Sequence, residues 1–304
     1  MRLRVLLEPR HGGSYDDMLG LARATEEAGL DAFFRSDHYL GVDEADQSYE
    51  PTDSWATLAG LARDTTRIRL GTLVTAGTFR LPGVLAVTVA TVDAMSGGRV
   101  ELGLGTGWYD REHASFGVPF PSLKERFDRL EEQLAIISGL WGLEPGDSFD
   151  FAGEHYRIES AKNPPRPAQA GGPPIVIGGG GPKRTPAIAA RYATEYNGSF
   201  PDGIADRFGR FREACRRIGR DPDEANLSAV LPVACGTTRA EAERRFEQIG
   251  TVPLREQAVV GGVDAVAERV RELGKAGADT IYFHLYDVDD TDHVHLLGQV
   301  AEAV

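Results

Sequence analysis

Two periodicities alternate along this chain of 304 residues. Short β-branched or apolar runs recur, each followed by a longer stretch of Ala, Leu, Glu and Arg at helical spacing. The strand-like runs are residues 3–8, 32–36, 68–74, 100–104, 174–177, a weaker one at 193–197, then 227–234 and 280–285. Helical spacing covers 15–28, a stretch opening near Asp53, 82–95, 122–141, 183–191, 206–218, 239–248, 263–274 and 292–303. Punctuation agrees with the periods: Gly29 follows the first helix as a C-cap, Thr52 or Asp53 can cap the second, and Pro82 opens the third. The length alone would suggest two domains. Eight β/α units instead predict the α/β class, as a (β/α)8 TIM barrel built from 1–304 as one domain.

One stretch breaks the alternation. Residues 142–172 are rich in Pro and Gly, and 149–158 alternate aromatics around Ala152-Gly153-Glu154. That pattern predicts a short hairpin with Gly153 at positive φ, and Asn163-Pro164-Pro165-Arg166-Pro167 predicts a stiff extended linker. We expect an insertion between strands 4 and 5 that leans over the barrel mouth.

Charge narrows the partners. A net charge of −13 and a pI near 5.0 argue against nucleic acid or anionic membrane as a partner, since both require clustered positive charge. No apolar run reaches about 18 residues, and residues 84–92 are interrupted by Thr88 and Thr91. The first residues are too short an apolar run for a secretory signal and read as a strand. Cys215 and Cys235 have neither disulfide nor metal spacing, so a reducing cytoplasm, no metal and a small-molecule substrate are expected.

In a barrel, chemistry gathers where strands end. The second strand ends on Asp37-His38: Asp37 can accept one ring N–H of His38 and leave the other nitrogen as acid or base, or the pair can merely cap loop backbone. The third ends in Thr72-Leu73-Val74-Thr75-Ala76-Gly77-Thr78, small and polar enough for a planar ligand to approach closely. The fourth ends in Gly103-Leu104-Gly105-Thr106-Gly107-Trp108-Tyr109, where alternate Gly residues remove Cβ atoms from one face. The fifth runs through Gly178-Gly179-Gly180-Gly181-Pro182-Lys183-Arg184-Thr185 into a helix, a backbone suited to wrapping an anion at a helix N-terminus. Lys183 and Arg184 add positive charge there. The spacing is not that of a phosphate-binding Walker loop. His284, ending the eighth strand, and Tyr196-Asn197, ending the sixth, are further candidates.

Together, Arg35-Ser36-Asp37-His38, Gly71-Thr72-Leu73-Val74-Thr75 with Thr78-Phe79-Arg80, Gly103-Leu104-Gly105-Thr106-Gly107-Trp108 with Glu112-His113 and Gly117, and Ile177-Gly178-Gly179-Gly180-Gly181 resemble the bacterial luciferase-like superfamily. The likeness is strongest to its actinobacterial branch that uses the deazaflavin coenzyme F420. The resemblance implies an oxidoreductase that passes a hydride between F420 and a small organic substrate, with His38 and Asp37 as the acid/base pair. It implies cofactor contacts from Leu73, Val74 and Thr75, with a non-prolyl cis peptide at Leu73-Val74. Further contacts would come from Gly105, Thr106, Gly107 and Trp108, and from the phosphate-side residues Gly178, Gly179, Gly180, Gly181 and Lys183. Arg184 is added from its charge and position. Glu112 and His113 are expected to pin the loop and helix start. Sugar-phosphate dehydrogenases of the superfamily place a Glu after Gly-Thr-Gly, where this chain has Trp108, an apolar wall that suggests a more lipophilic substrate. An FMN-dependent luciferase-like monooxygenase, and a cofactor-binding protein without turnover, are the alternatives. Members are commonly homodimers.

Overall fold

The computed structural model describes residues 1–8, 12–41, 52–162, 164–249 and 252–304, with backbone alone for 252 and 253. Asn163 of the expected linker lies outside them. The first half of the chain runs β1 (Arg2–Leu7), α1 (Tyr15–Glu27), β2 (Ala32–Arg35), α2 (Ser54–Asp64), β3 (Arg69–Thr72), β4 (Thr75–Ala76), α3 (Pro82–Ser96), β5 (Val100–Gly105), α4 (Asp110–Ser115) and α5 (Leu123–Trp141). The second half runs β6 (Ser148–Ala152), β7 (Arg157–Lys162), β8 (Ile175–Gly178), α6 (Arg184–Tyr192), β9 (Glu195–Asn197), α7 (Ile204–Arg217), β10 (Asn226–Cys235), α8 (Arg239–Gln248), α9 (Val252–Glu256), β11 (Val259–Gly261), α10 (Val263–Lys275), β12 (Thr280–Leu285) and α11 (Thr291–Ala303).

Parallel pairing runs in the order β10, β12, β1, β2, β3, β5, β8, β9, and β9 pairs back onto β10, so these eight strands close into a barrel. β4 continues the path of β3 alongside β5, and β11 adds to the outer end of β10. Local chemistry starts the helices where the sequence places them. Ser14 and Asp17 form a reciprocal capping box at α1, Asp53 caps α2 and Ser122 caps α5. α4, α9 and β11, each six residues or fewer, are too short to give a periodic signal and are additions to the sequence reading.

The two-residue period of β1 sends Leu3, Val5 and Leu7 into the apolar layer beneath the helices, and Arg4 and Leu6 into the barrel interior. The interior is layered. Its lower layer is ionic: Arg4 donates to both Glu101 oxygens (2.8 and 3.1 Å) and to the Tyr282 hydroxyl (2.8 Å), which donates to Glu195 at 2.8 Å. Leu6 and Phe34, one inward step further along β1 and β2, join Ala32, Val176, Val230 and the Tyr282 ring in an apolar cluster. Burial works against charge on Glu101, but Arg4 and Arg69 hold its pKa below the ordinary carboxylate value. Burial pushes the Glu195 carboxyl up; Arg4 opposes the rise and Glu101 adds to it.

The insertion forms the antiparallel pair β6–β7, which packs on α5. The aromatic side chain of Phe149 lies over Gly139, and Gln133 donates to the Tyr156 hydroxyl. None of its described residues lines the cavity at the barrel mouth, so the hairpin covers the barrel's flank. Gly153 is not at positive φ. Its need for Gly is steric, because an added Cβ would fall 2.2 Å from the Glu132 carboxylate. That carboxylate caps the turn by accepting from the amides of Glu154, His155 and Tyr156.

Removing one member of the ionic layer strands the others. Arg4→Met is expected to cost about 3–5 kcal/mol in urea unfolding. Glu195→Gln should cost much less, because it removes a charge that burial already disfavours.

Candidate active site

A cavity of about 490 Å3 opens at the carboxyl ends of the strands. Inward positions of β1, β2, β9, β10 and β12 reach it through Glu8, Ser36, Asn197, Val230 and His284.

His38 lines this cavity, on the loop after β2. Its Nδ1 lies 3.0 Å from Oε2 of Glu112 on α4. The other Glu112 oxygen accepts from the amides of Tyr39 and Leu40. Burial works against a charged His38 ring. The hydrogen bond to Glu112 and the negative charges of Glu8, Glu112 and Asp37 overcome it, pushing the pKa up to about 9. Asp37 does not orient this ring. Its carboxylate accepts from Arg80 and from the Ser54 hydroxyl at 2.7 Å, and Arg80 also binds Asp53 (2.6 Å) and the Tyr39 hydroxyl (2.8 Å). Adjacent residues leaving a strand point apart, and a partner 74 positions away in sequence takes the role assigned to the nearest carboxylate. His113 fastens the base of the loop, with Nδ1 2.6 Å from the Tyr109 carbonyl and Nε2 2.6 Å from the Thr78 hydroxyl.

The peptide joining Leu73 and Val74 is cis, and both residues line the cavity. Val74 explains the glycines around it. A Cβ on Gly105 would stand 2.9 Å from one Val74 methyl, and a Cβ on Gly178 or Gly103 would stand 3.1 Å from the other. Gly103 has the tightest limit, since its Cβ would meet the Thr72 carbonyl oxygen at 1.9 Å. Gly107 sits at φ +73° with the Thr78 hydroxyl 2.8 Å from where a Cβ would be. The alternating glycines therefore receive β3 and β4, and Gly105, Thr106, Gly107 and Trp108 still line the cavity. The Thr75 side chain does not reach it. Its hydroxyl accepts from the Trp55 indole N–H and donates to Thr72, both at 3.0 Å.

Of the four-glycine run, Gly178 and Gly179 line the cavity, with Gly179 at φ +136°. Gly180 and Gly181 lead to α6, whose N-terminus has no side-chain cap. Lys183 is exposed and, among the described residues, has no ion-pair partner. Arg184 is engaged elsewhere: it pairs with Asp128 (2.7 Å) and Glu131 (2.6 Å) on α5 and lies over the Phe127 ring. One helical step separates it from Lys183 and turns it into the α5–α6 seam. Arg207, which no sequence motif marks, lies beside Gly180 with a buried Nε that has no hydrogen-bond partner among the described residues.

The pair Tyr196-Asn197 divides by the strand's period. Asn197 lines the cavity, whereas Tyr196 stacks on Phe211 of α7 at 5.0 Å. His284 faces the cavity, its Nδ1 2.9 Å from the Tyr286 hydroxyl and its Nε2 3.9 Å from Glu8. No motif marks Glu8, although its phase with Arg4 and Leu6 points it inward, where it lines the cavity. Phe200 and Leu254 also line the cavity from segments without periodicity. Among the described residues no cluster of His, Cys, Asp and Glu could hold a metal ion, and no helix is long and apolar enough to cross a membrane.

A model of the family described as luciferase-like monooxygenase matches residues 1–253. An F420-dependent glucose-6-phosphate dehydrogenase of Nakamurella multipartita is 36% identical over 231 residues, covering 74% of this chain and 66% of that protein. An F420-dependent hydroxymycolic acid dehydrogenase of Mycobacterium tuberculosis is 32% identical over 230 residues, covering 75% of this chain and 61% of that protein. The matched stretch thus spans less than two thirds of either relative. Among solved structures, an F420-dependent secondary alcohol dehydrogenase in complex with an F420-acetone adduct superposes with a TM-score of 0.85 at 20% identity, covering 100% of this chain and 98% of that one. The coenzyme F420 dependent tetrahydromethanopterin reductase of Methanopyrus kandleri gives a TM-score of 0.81 at 19% identity, covering 98% and 97%.

The packing of Val74 is directly testable. Gly105→Ala should cost about 1–3 kcal/mol in urea unfolding through overpacking. In a Val74→Ala background the same substitution should cost about 1 kcal/mol less, because the two residues share one space.

Proposed function

This chain belongs to the luciferase-like monooxygenase family, and from that premise we propose that it is an oxidoreductase passing a hydride between coenzyme F420 and a small organic substrate. The observation that carries the reading is one cavity holding two surfaces: a floor built around Val74 and glycine backbone, and a wall bearing His38 held by Glu112. The names of the curated relatives support F420 as the cofactor.

The residues present fit such a group. The floor offers a flat apolar surface in Leu73 and Val74, and the hydroxyl of Ser36 is buried at the cavity without a hydrogen-bond partner among the described residues. Gly105, Thr106, Gly107 and Trp108 would edge the ring system. The uncapped α6 N-terminus, Gly178 to Gly181, Lys183 and Arg207 would hold the phosphate. When bound, F420 supplies a carbon that accepts or donates hydride. His38 moves the accompanying proton. With Nδ1 committed to Glu112, Nε2 is the nitrogen we assign to that exchange, and Glu112 fixes both the ring's orientation and its charge. Asp37 positions the loop through Arg80. Buried, free Cys215 and Cys235 suit a reducing cytoplasm, and the uncharged outer face of α3, with Val84 60% and Val87 41% exposed, suits packing against a second copy.

Titrating F420 and FMN separately into the purified protein, read by cofactor fluorescence, tests the assignment. Saturable F420 binding, weakened by Lys183→Ala, is expected; saturable FMN binding with none for F420 would overturn it.

His38→Ala should keep F420 binding and lower kcat by about 10²–10⁴-fold. Oxidation needs a neutral His38 to accept the proton, so its kcat/KM should rise with pH and level near 9, while reduction, which needs the charged ring, should fall above 9. Glu112→Gln leaves an acceptor for the ring N–H but removes the negative charge beside it, and should move both breaks toward the ordinary value of 6.5. By linkage, the stability this pair contributes is fully present below the unfolded-state pKa and is lost as pH rises through about 9.

A further inference from the structure

Thr78-Phe79-Arg80 belongs to the sequence pattern above, yet none of the three residues lines the cavity. The segment lies between β4 and α3, and its side chains turn to the two segments that carry His38 and Glu112. The Thr78 hydroxyl is 2.6 Å from Nε2 of His113. The Phe79 ring lies 4.9 Å from the His113 ring and 5.1 Å from that of Tyr39. Arg80 reaches the loop after β2 on both sides of His38: it donates to the Asp37 carboxylate and, at 2.8 Å, to the Tyr39 hydroxyl. A further bond, 2.6 Å to Asp53, ties this loop to the N-cap of α2.

These bonds use both ends of a planar fork, which a compact ammonium lacks. They are also shielded, the Arg80 side chain being 13% exposed and that of Asp37 1%. Burial works against the charge on Arg80, and Asp37, Tyr39 and Asp53 more than offset it, holding its pKa above the ordinary value. Tyr39 is gripped at both ends, its amide by Glu112 and its hydroxyl by Arg80 and Asp53. His38 therefore stands between two residues that a single guanidinium holds, while Glu112 meets its Nδ1 from the other side.

We propose that Arg80 is a positioning residue for His38: by bridging Asp37, Tyr39 and Asp53 it holds the ring where Glu112 meets Nδ1, leaving Nε2 for the proton exchange. This rests on the reading above that His38 moves the proton. Arg80 itself exchanges no proton and touches neither cofactor nor substrate. Charge and position pull the His38 pKa in opposite directions. Taking a positive charge from the neighbourhood of the ring favours its charged form and raises the pKa. Losing the position loosens the contact with Glu112, which holds the pKa near 9, and lowers it. The carboxylates that act on the ring, Glu8, Glu112 and Asp37, all remain in an Arg80 variant.

The test follows the His38 ring by NMR through a pH titration of the full chain without cofactor, its resonance assigned with His38→Ala. The wild-type ring should titrate near 9. Arg80→Gln should lower that midpoint by about one pH unit. Arg80→Lys, which keeps the charge without the fork, should lower it by less. Turnover is measured with whichever of a panel of alcohols and sugar phosphates the wild type oxidises. There Arg80→Gln should lower kcat by about 10–100-fold, with F420 binding nearly unchanged. A midpoint at or above the wild-type value in folded Arg80→Gln, or a wild-type kcat, would overturn the proposal. Should Arg80→Gln not fold, Arg80→Lys decides: a lowered midpoint supports the proposal and a wild-type midpoint defeats it. F420 that the wild type neither binds nor reduces would overturn the hydride-transfer reading instead, and the NMR midpoints would still decide whether Arg80 holds His38.

Discussion

Glu112 stands on a helix of six residues with its carboxylate 1% exposed. A carboxylate buried so far is tolerated only if its oxygens are matched by donors. Here the donors all come from the loop after β2: the amides of Tyr39 and Leu40 and the ring of His38. The same contacts that satisfy the buried charge therefore fasten that loop across the barrel mouth onto the segment after β5. α4 is held in turn, since His113 on it bonds Tyr109 and Thr78, and Arg126 of α5 donates to the Gly107 carbonyl. The position and charge of His38 both depend on this chain of contacts, which contains no residue that must itself touch a substrate.

The interior of the barrel keeps this polar system apart from another. Beneath the mouth lies the belt of Leu6, Phe34, Val176 and Val230, and beneath that the cluster of Arg4, Glu101, Glu195 and Tyr282. Both polar groupings are charged and largely buried, yet the apolar belt separates them. β1 contributes to every level through one alternation, Arg4, Leu6 and Glu8, at successive inward positions. A single strand thus carries the stabilising ion pair, the core and a lining residue of the site.

The barrel follows from the sequence because it is written in local patterns. The runs at 280–285 and 239–248 match β12 and α8 residue for residue, and the caps at Ser14 and Asp53 lie within three residues of the amides they satisfy. The site is less readable because its decisive contacts are distant in sequence. Glu112 meets His38 across 74 positions, and Arg80 meets Asp37 across 43. Adjacency misleads where geometry separates neighbours. Lys183 and Arg184, Tyr196 and Asn197, and Asp37 and His38 each look like a unit, and each pair splits between different surroundings. The phase of a strand is the stronger guide, and it would have marked Glu8.

The glycines carry the same lesson further. Gly103, Gly105, Gly107 and Gly178 look like room made for a ligand, but the atoms nearest their missing Cβ positions belong to Thr72, Val74 and Thr78. They are small because the chain packs against itself there, and the flat floor follows from that packing. Under the proposed function the two sides of the cavity answer to different constraints. The floor is backbone and one interlocked valine, so nearly any substitution disturbs the fold. The wall is built of side chains such as Trp108, Phe200 and Leu254, and Trp108, at 61% exposure, can be exchanged at little cost to stability. Under that reading a site made this way can keep its cofactor chemistry while its substrate changes, and Trp108, beside His38, stands on the wall where such a change would fall.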